Sequence, residues 1–334
     1  MRLMKFALAS VLAFGLFGGV ANSAEPIKIR MSWVAPVANW ASIILEKKDL
    51  AQHMGKSYTL ESVRYQGTPQ MITAIANNEL EVSNLAYSSL AIAIENAGLD
   101  DIRVIADEFQ DGTPGYFTTQ FYVRKDSGIN KVEDLKGKVV ASNGGGSAVD
   151  IALRAMLKKH GLEEKRDYTM IEAPLPAMAA MLFDKKADLV PLVQPFVNNP
   201  KLKEDGKVLF GQSDALGVTQ MIVWTARESF IDKNRAAMVD FMEDMLRIVH
   251  WYLDPKNHDE AAKIASTITK VPPERFGWLF TKADNYRDAN LMPNLDALQK
   301  NVDATRELGF VKKPIDIRKY ADLSVLQDAV QRLK

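Results

Sequence analysis

The chain has no cysteine. Thiol catalysis, cysteine-bound metal and disulfide staples are therefore excluded. Histidine is scarce, and His53, His160, His250 and His258 show no pair at metal-ligand spacing. No Ser-His-Asp or paired-carboxylate arrangement can be argued from the residue order. The expectation is a protein with no catalytic residue, no metal and no cofactor. Long basic runs are also missing, and 42 Lys and Arg balance 42 Asp and Glu. That leaves no electrostatic footprint for nucleic acid. The one glycine-rich stretch lacks Gly-Lys-Ser/Thr, and Val149 stands where the third glycine of a dinucleotide fingerprint belongs.

Apolar runs long enough for a membrane span are absent too. The longest is near the start, in residues 6–20, about 15 residues and short for a span. Arg2 and Lys5 precede it, and Ala21-Asn22-Ser23-Ala24 follows with small residues. This pattern predicts a signal peptide over residues 1–24, cleaved near Ser23 or Ala24, and a mature chain exported to the periplasm. With no cysteine there is no lipid anchor after the signal. The mature chain, about 310 residues, must be held by its own core, and that length supplies one or two. Losing Arg2 and Lys5 leaves it slightly acidic.

The most informative stretch is residues 138–161, KVVASNGGGSAVDIALRAMLKKHG. Val139, Val140 and Ala141 are the apolar filling of a buried strand. Ser142-Asn143-Gly144-Gly145-Gly146 breaks it at a sharp turn. Ser147 suits a helix N-cap, with Asp150 in the first turn. Lys158, Lys159 and His160 suit the last turn, and Gly161 ends it. Backbone N–H groups at such a helix start form a ready anion site. The plain alternative is a turn and cap with no ligand.

Strand and helix patterns alternate along the chain, which predicts an α/β fold with mostly parallel sheets. Residues 27–33, 58–65, 81–85 and 102–106 read as strands; 37–52, 68–77 and 88–96 read as helices. Residues 116–123, rich in β-formers, are long enough to bridge two bodies. The pattern then restarts. IKIRMSW answers KVVASNG about 110 residues later, YTLESVRY answers YTMIEAPL, and Pro69-x-Met71 answers Pro176-x-Met178. Two similar bodies facing each other are expected, with residues 218–225 as a second connector. The last third is helical: Met238, Phe241, Met242, Met245, Ile248, Val249 and Tyr252 share one face of a helix over 235–253, a packing stripe rather than a ligand box.

Three segments then carry a resemblance. Val123-Arg124-Lys125-Asp126-Ser127-Gly128-Ile129 with Asp134-Leu135-Lys136-Gly137-Lys138-Val139 and the Gly-Ser turn is one. Val82-Ser83-Asn84-Leu85-Ala86-Tyr87-Ser88-Ser89-Leu90-Ala91 is the second. Lys185-Lys186-Ala187-Asp188-Leu189 followed by Pro195-Phe196 is the third. Together they resemble the solute-binding proteins of ABC importers in the nitrate, alkanesulfonate and taurine group. The resemblance implies a two-lobe type II periplasmic-binding-protein fold with a two-strand hinge and a helical C-terminal part. Lobe I would comprise residues 25–118 and 218–334, and lobe II residues 119–217. It implies a monomer that captures a small organic anion, sulfonate or taurine-like first and carboxylate second, and delivers it to a permease and its ATPase in the inner membrane. The alternatives are a thiamin-pyrimidine-related binding protein or enzyme on the same fold, or a sensor subunit.

Site residues follow from repeat position and the resemblance. Asn143, Gly144, Gly145, Gly146, Ser147 and Ala148 would seat the anion. Ala86, Tyr87 and Ser88 would reach it from lobe I. Trp33 ends the first strand and could cover an apolar or ring-bearing ligand, as could Gln194 and Phe196 in the matching loop of lobe II. Asp107 or Glu108 would pair a ligand ammonium, against the plain reading of a solvated loop, and Tyr116 is a hinge candidate beside the cleft. Three departures from the taurine-like pattern bear on the ligand. Gln194 replaces a Trp, Glu79 replaces a Gly, and residues 107–116 form a longer segment.

Overall fold

A computed structural model of the chain describes residues 25–334; the expected signal peptide lies outside them. β1 (Ile27–Trp33) pairs in parallel with β2 (Tyr58–Arg64), Ile27 opposite Tyr58. α1 (Pro69–Ala76) starts with proline at its first position, where a missing N–H costs nothing. β3 (Ser83–Ala86) runs directly into α2 (Tyr87–Glu95), and β4 (Ile102–Asp111) follows. Val82, just ahead of β3, is hydrogen-bonded on both sides to β1, through Ser32 N–H to its carbonyl and from its own N–H to Arg30 O.

The chain then crosses to a second sheet. β5 (Gln120–Arg124), β6 (Lys138–Ser142), α3 (Ala148–Lys159), β7 (Tyr168–Glu172), α4 (Met178–Phe183), β8 (Val190–Leu192), α5 (Pro200–Asp205) and β9 (Gly206–Gly211) come in that order. β6 and β7 are parallel, and β5 lies antiparallel between β8 and β9. The Ala141 N–H bonds to Leu189 O and joins the two parts. After α6 (Gln212–Leu216) the chain returns as β10 (Thr219–Arg227), which inserts antiparallel between β3 and β4.

Both sheets therefore have one spatial order. In the first it is β2-β1-β3-β10-β4, in the second β7-β6-β8-β5-β9. The restart of pattern at residue 138 is this repetition. Each sheet has an antiparallel strand that the pattern alone does not predict. It is the strand that has just crossed from the other lobe, so it enters against the local direction.

The C-terminal part consists of α7 (Glu228–Lys233), α8 (Arg235–Leu253), α9 (His258–Thr269), α10 (Leu295–Glu307) and α11 (Ser324–Arg332). The Met and aromatic stripe of α8 is buried with Trp40, Trp224 and Tyr58 in one core of the first lobe. Residues 284–291 run along the free edge of β4, where Asp107 N–H donates to Leu291 O and Gln110 N–H to Tyr286 O. That covers an edge that would otherwise be open to pairing.

Two local expectations change. Residues 37–52 are not one helix but short 3-10 turns, Trp40–Ser42 and Ile44–Leu50. Asn39 uses its side-chain oxygen on the amides of Val34 and Ala35, and Val37 has φ 56°, so the segment bends at its start. Residues 107–111 are not a solvated loop. They continue β4, and its burial is unbroken from Val104 to Asp111.

Candidate functional site

A cavity lies between the lobes. Its lobe I wall includes Ala35, Asn84, Ala86, Phe109, Met221 and Ile222; its lobe II wall includes Thr119, Asn143, Ser147, Ala148, Val149 and Gln194. No lining side chain carries a formal charge. The apolar members would hold an apolar ligand body, and the polar ones are amides and hydroxyls.

Three helices begin at this cavity. Thr68 is the N-cap of α1, Ala86 that of α2 and Ser147 that of α3, and all three residues line it. Each helix start carries a partial positive charge and unpaired N–H groups. In α3, Ser147 accepts from Asp150 N–H and donates to Asn143 Oδ1 at 2.7 Å. The amides of Ala148 and Val149 have no protein acceptor among the described residues. Asn84 adds a donor from lobe I. It is 1% exposed, its Oδ1 accepts from Ser32, and its Nδ2 has no partner among the described residues. A buried amide nitrogen left unpaired costs about 1–3 kcal/mol, so such a group invites an acceptor. Neutral donors facing an uncharged cavity can hold an anion without a counter-charge.

The structure brings Ala86, Asn143, Ser147, Ala148 and Gln194 to the cavity wall. The remaining expected residues lie elsewhere. The Gly145 N–H donates to Glu172 Oε1 at 2.7 Å and the Gly146 N–H to Asp150 Oδ2 at 2.8 Å, so both amides are taken by the chain's own carboxylates. Gly144, like them, is off the cavity wall. Glycine at 146 serves close approach instead: φ is 78°, and a Cβ there would stand 2.8 Å from Ile92 Cδ1 of α2.

Tyr87 and Ser88 are buried beside the cavity rather than in its wall, and their hydroxyls reach across the lobe boundary. Tyr87 donates to Ala148 O at 3.0 Å and Ser88 to Gly146 O at 2.7 Å. Gln194 Nε2 likewise donates to Ala283 O. The lobes are in direct contact, and Ala148, Val149 and Ile151 of α3 pack into a core of lobe I.

Trp33 and Phe196 lie in a separate outer groove. Tyr116 stands edge-on to Tyr286, with ring centroids 5.2 Å apart, away from the cavity. Asp107 and Glu108 are sealed inside lobe I. Asp107 accepts from Gln220 Nε2 and Asp288 N–H. Glu108 accepts from Trp40 N–H, Asn39 Nδ2 and Trp224 Nε1. Burial pushes both carboxyls up to about 7. Neither can meet a ligand ammonium, because neither borders the cavity. Glu108 instead holds Asn39, which does border it.

Sequence reasoning missed Asn84, Phe109, Met221, Ile222 and Asn285 on the cavity wall. Asn84 was within reach, since it stands two residues before the α2 cap. Asn285 comes from the distant C-terminal part and has no local signal.

Asp111 ties the hinge to this wall. Its carboxylate accepts from Thr118 Oγ1, from the Thr119 amide and hydroxyl, and from Asn285 Nδ2 at 3.5 Å. Thr118 Oγ1 in turn accepts from Ser213 N–H, in the second crossing.

Comparison with known proteins gives this architecture its context. The taurine-binding periplasmic protein of Escherichia coli (strain K12) is 23% identical over 268 residues, 77% of this chain and 78% of that protein. A putative aliphatic sulfonates-binding protein of Bacillus subtilis (strain 168) is 24% identical over 318 residues, 94% of this chain and 87% of that protein. The alkanesulfonate-binding protein SsuA from Xanthomonas axonopodis pv. citri, solved bound to MOPS, superposes with a TM-score of 0.70 at 18% identity. The superposition covers 90% of this chain and 99% of that one. These relatives are binding proteins. Residues 22–266 match the NMT1-like family, and with that span covering most of the two-lobe body, the chain belongs to it.

Proposed function

We propose that the chain is the periplasmic substrate-binding component of an ABC importer, and that it takes a small organic anion with an uncharged, apolar body. The observation that supports this best is the meeting of three helix starts, the free amides of Ala148 and Val149 and the free Asn84 Nδ2 at a cavity without charged side chains. A sulfonate or carboxylate head would sit at these donors, and its body against Phe109, Met221 and Ile222. Lobe I is read as residues 25–118 with 218–334 and lobe II as 119–217, closing about the two crossings as a hinge. No covalent step is required of this site.

The missing carboxylate separates ligands within the class. Taurine carries an ammonium that would be buried without a partner, which costs more than burying a methyl group. Calorimetry on the mature protein should therefore rank propane-1-sulfonate above taurine. Tighter binding of taurine, or of any organic cation, would defeat this assignment.

A further inference from the structure

We propose that the cleft contains a second, outer subsite that reads the far end of an elongated dianion whose near end sits in the inner cavity. This rests on the inner anion site proposed above and extends it. Val34 and Leu175 line both the inner cavity and a second pocket beside it. Arg64 and Pro176 line both this second pocket and an outer groove. The three spaces therefore adjoin one another, the first at the helix starts and the third beside Trp33 and Phe196.

The outer end differs chemically from the inner one. Among the described residues no Asp or Glu lines the second pocket or the groove, whereas Arg64 and Arg275 do. Elsewhere guanidiniums are matched with carboxylates, as in Arg30 with Glu81, Arg154 with Asp150 and Arg332 with Asp240. Arg64 has no carboxylate partner among the described residues. It lies over the Trp33 ring, 5.2 Å from its centroid. Arg275 donates to Asn198 O at 3.2 Å, from one lobe to the other, and it too lacks a carboxylate. A guanidinium stacked on an indole keeps its planar donor fork free for an oxyanion. Trp33 and Phe196 supply apolar faces along the way. The fitting ligand class is an anion at each end with an apolar or aryl spacer between.

The test compares butane-1,4-disulfonate with butane-1-sulfonate by calorimetry at fixed ionic strength, together with disulfonates of shorter and longer spacer. In the wild type the best disulfonate should bind roughly five- to tenfold tighter than its monosulfonate. In Arg64→Gln that ratio should fall to about one, with the melting temperature confirming an intact fold. Equal affinities at every spacer length, or a ratio that survives in Arg64→Gln, would overturn the outer subsite and leave the inner one standing. Absence of binding by every compound would remove the inner site and the outer one with it.

Discussion

At the scale of single residues, the anion reading turns on two backbone amides. Ala148 is the first residue of α3, a position where proline is tolerated because its N–H has no helical partner. Ser147 before it already has φ −72° and ψ 162°, which suits a residue preceding proline. Ala148→Pro should therefore keep the helix and lose one donor. Sulfonate affinity should drop roughly 10- to 100-fold, the worth of a charge-assisted hydrogen bond. Unchanged affinity with an intact melting curve would discard the amide seat. Asp107 offers a test of burial. Its carboxyl titrates at about 7 when folded and near 3.8 when unfolded. Between those values the unfolded chain has released the proton and the folded chain retains it, so its contribution to stability declines as pH rises and levels off above about 7. Melting curves of the wild type and Asp107→Asn should show the wild type losing ground to the variant from about pH 4 to 7. A constant gap between the two would contradict this.

At the scale of elements, the two crossings behave as one unit. Gly112 follows β4 with φ 72°, and a Cβ there would lie 2.9 Å from Ser213 Cβ and 3.0 Å from Gly217 O. Gly112→Ala should strain the backbone and push the crossings apart, costing about 1–3 kcal/mol. A thermal melt equal to wild type would show that the crossings are not so tightly set. The strand–turn–helix at residues 138–161 was legible in the sequence because each of its signals is local: an apolar run, a glycine turn, a cap and a basic last turn. Ser147 as cap and Asp150 in the first turn stand where the pattern put them. Asp107, Glu108 and Asp111 were illegible for the opposite reason. An acidic run looks solvated, and Gln220 and Trp224, which hold Asp107 and Glu108, lie more than a hundred positions away, while Asp111 is held by Thr118 and Thr119 only because the chain turns there. Residues 37–52 have the apolar content of a helix, but Asn39 diverts two amides at their start. The glycines at 145 and 146 carry an anion-loop signature, yet Glu172 and Asp150 reach their amides first.

At the scale of the whole molecule, the proposed lobe closure would depend on hydroxyls that the sequence presents as ligand contacts. Tyr87 and Ser88 on lobe I hold the carbonyls of Ala148 and Gly146 on lobe II. Replacing both, Tyr87→Phe with Ser88→Ala, removes two hydrogen bonds of about 1 kcal/mol each and favours separated lobes. Solution scattering without ligand should give a larger radius of gyration for the double variant, and ligand affinity should fall about tenfold or more. Identical radii and affinities would mean that the two contacts do not govern closure. The strand exchange between lobes has a consequence for the order of folding. Among the described residues β4 has no strand partner other than β10, which comes more than a hundred residues later. The second sheet, by contrast, is complete once β9 has emerged. For a chain that emerges N-terminus first, the lobe that starts later is therefore the first able to complete its sheet, and β4 stays unpaired until β10 comes back for it.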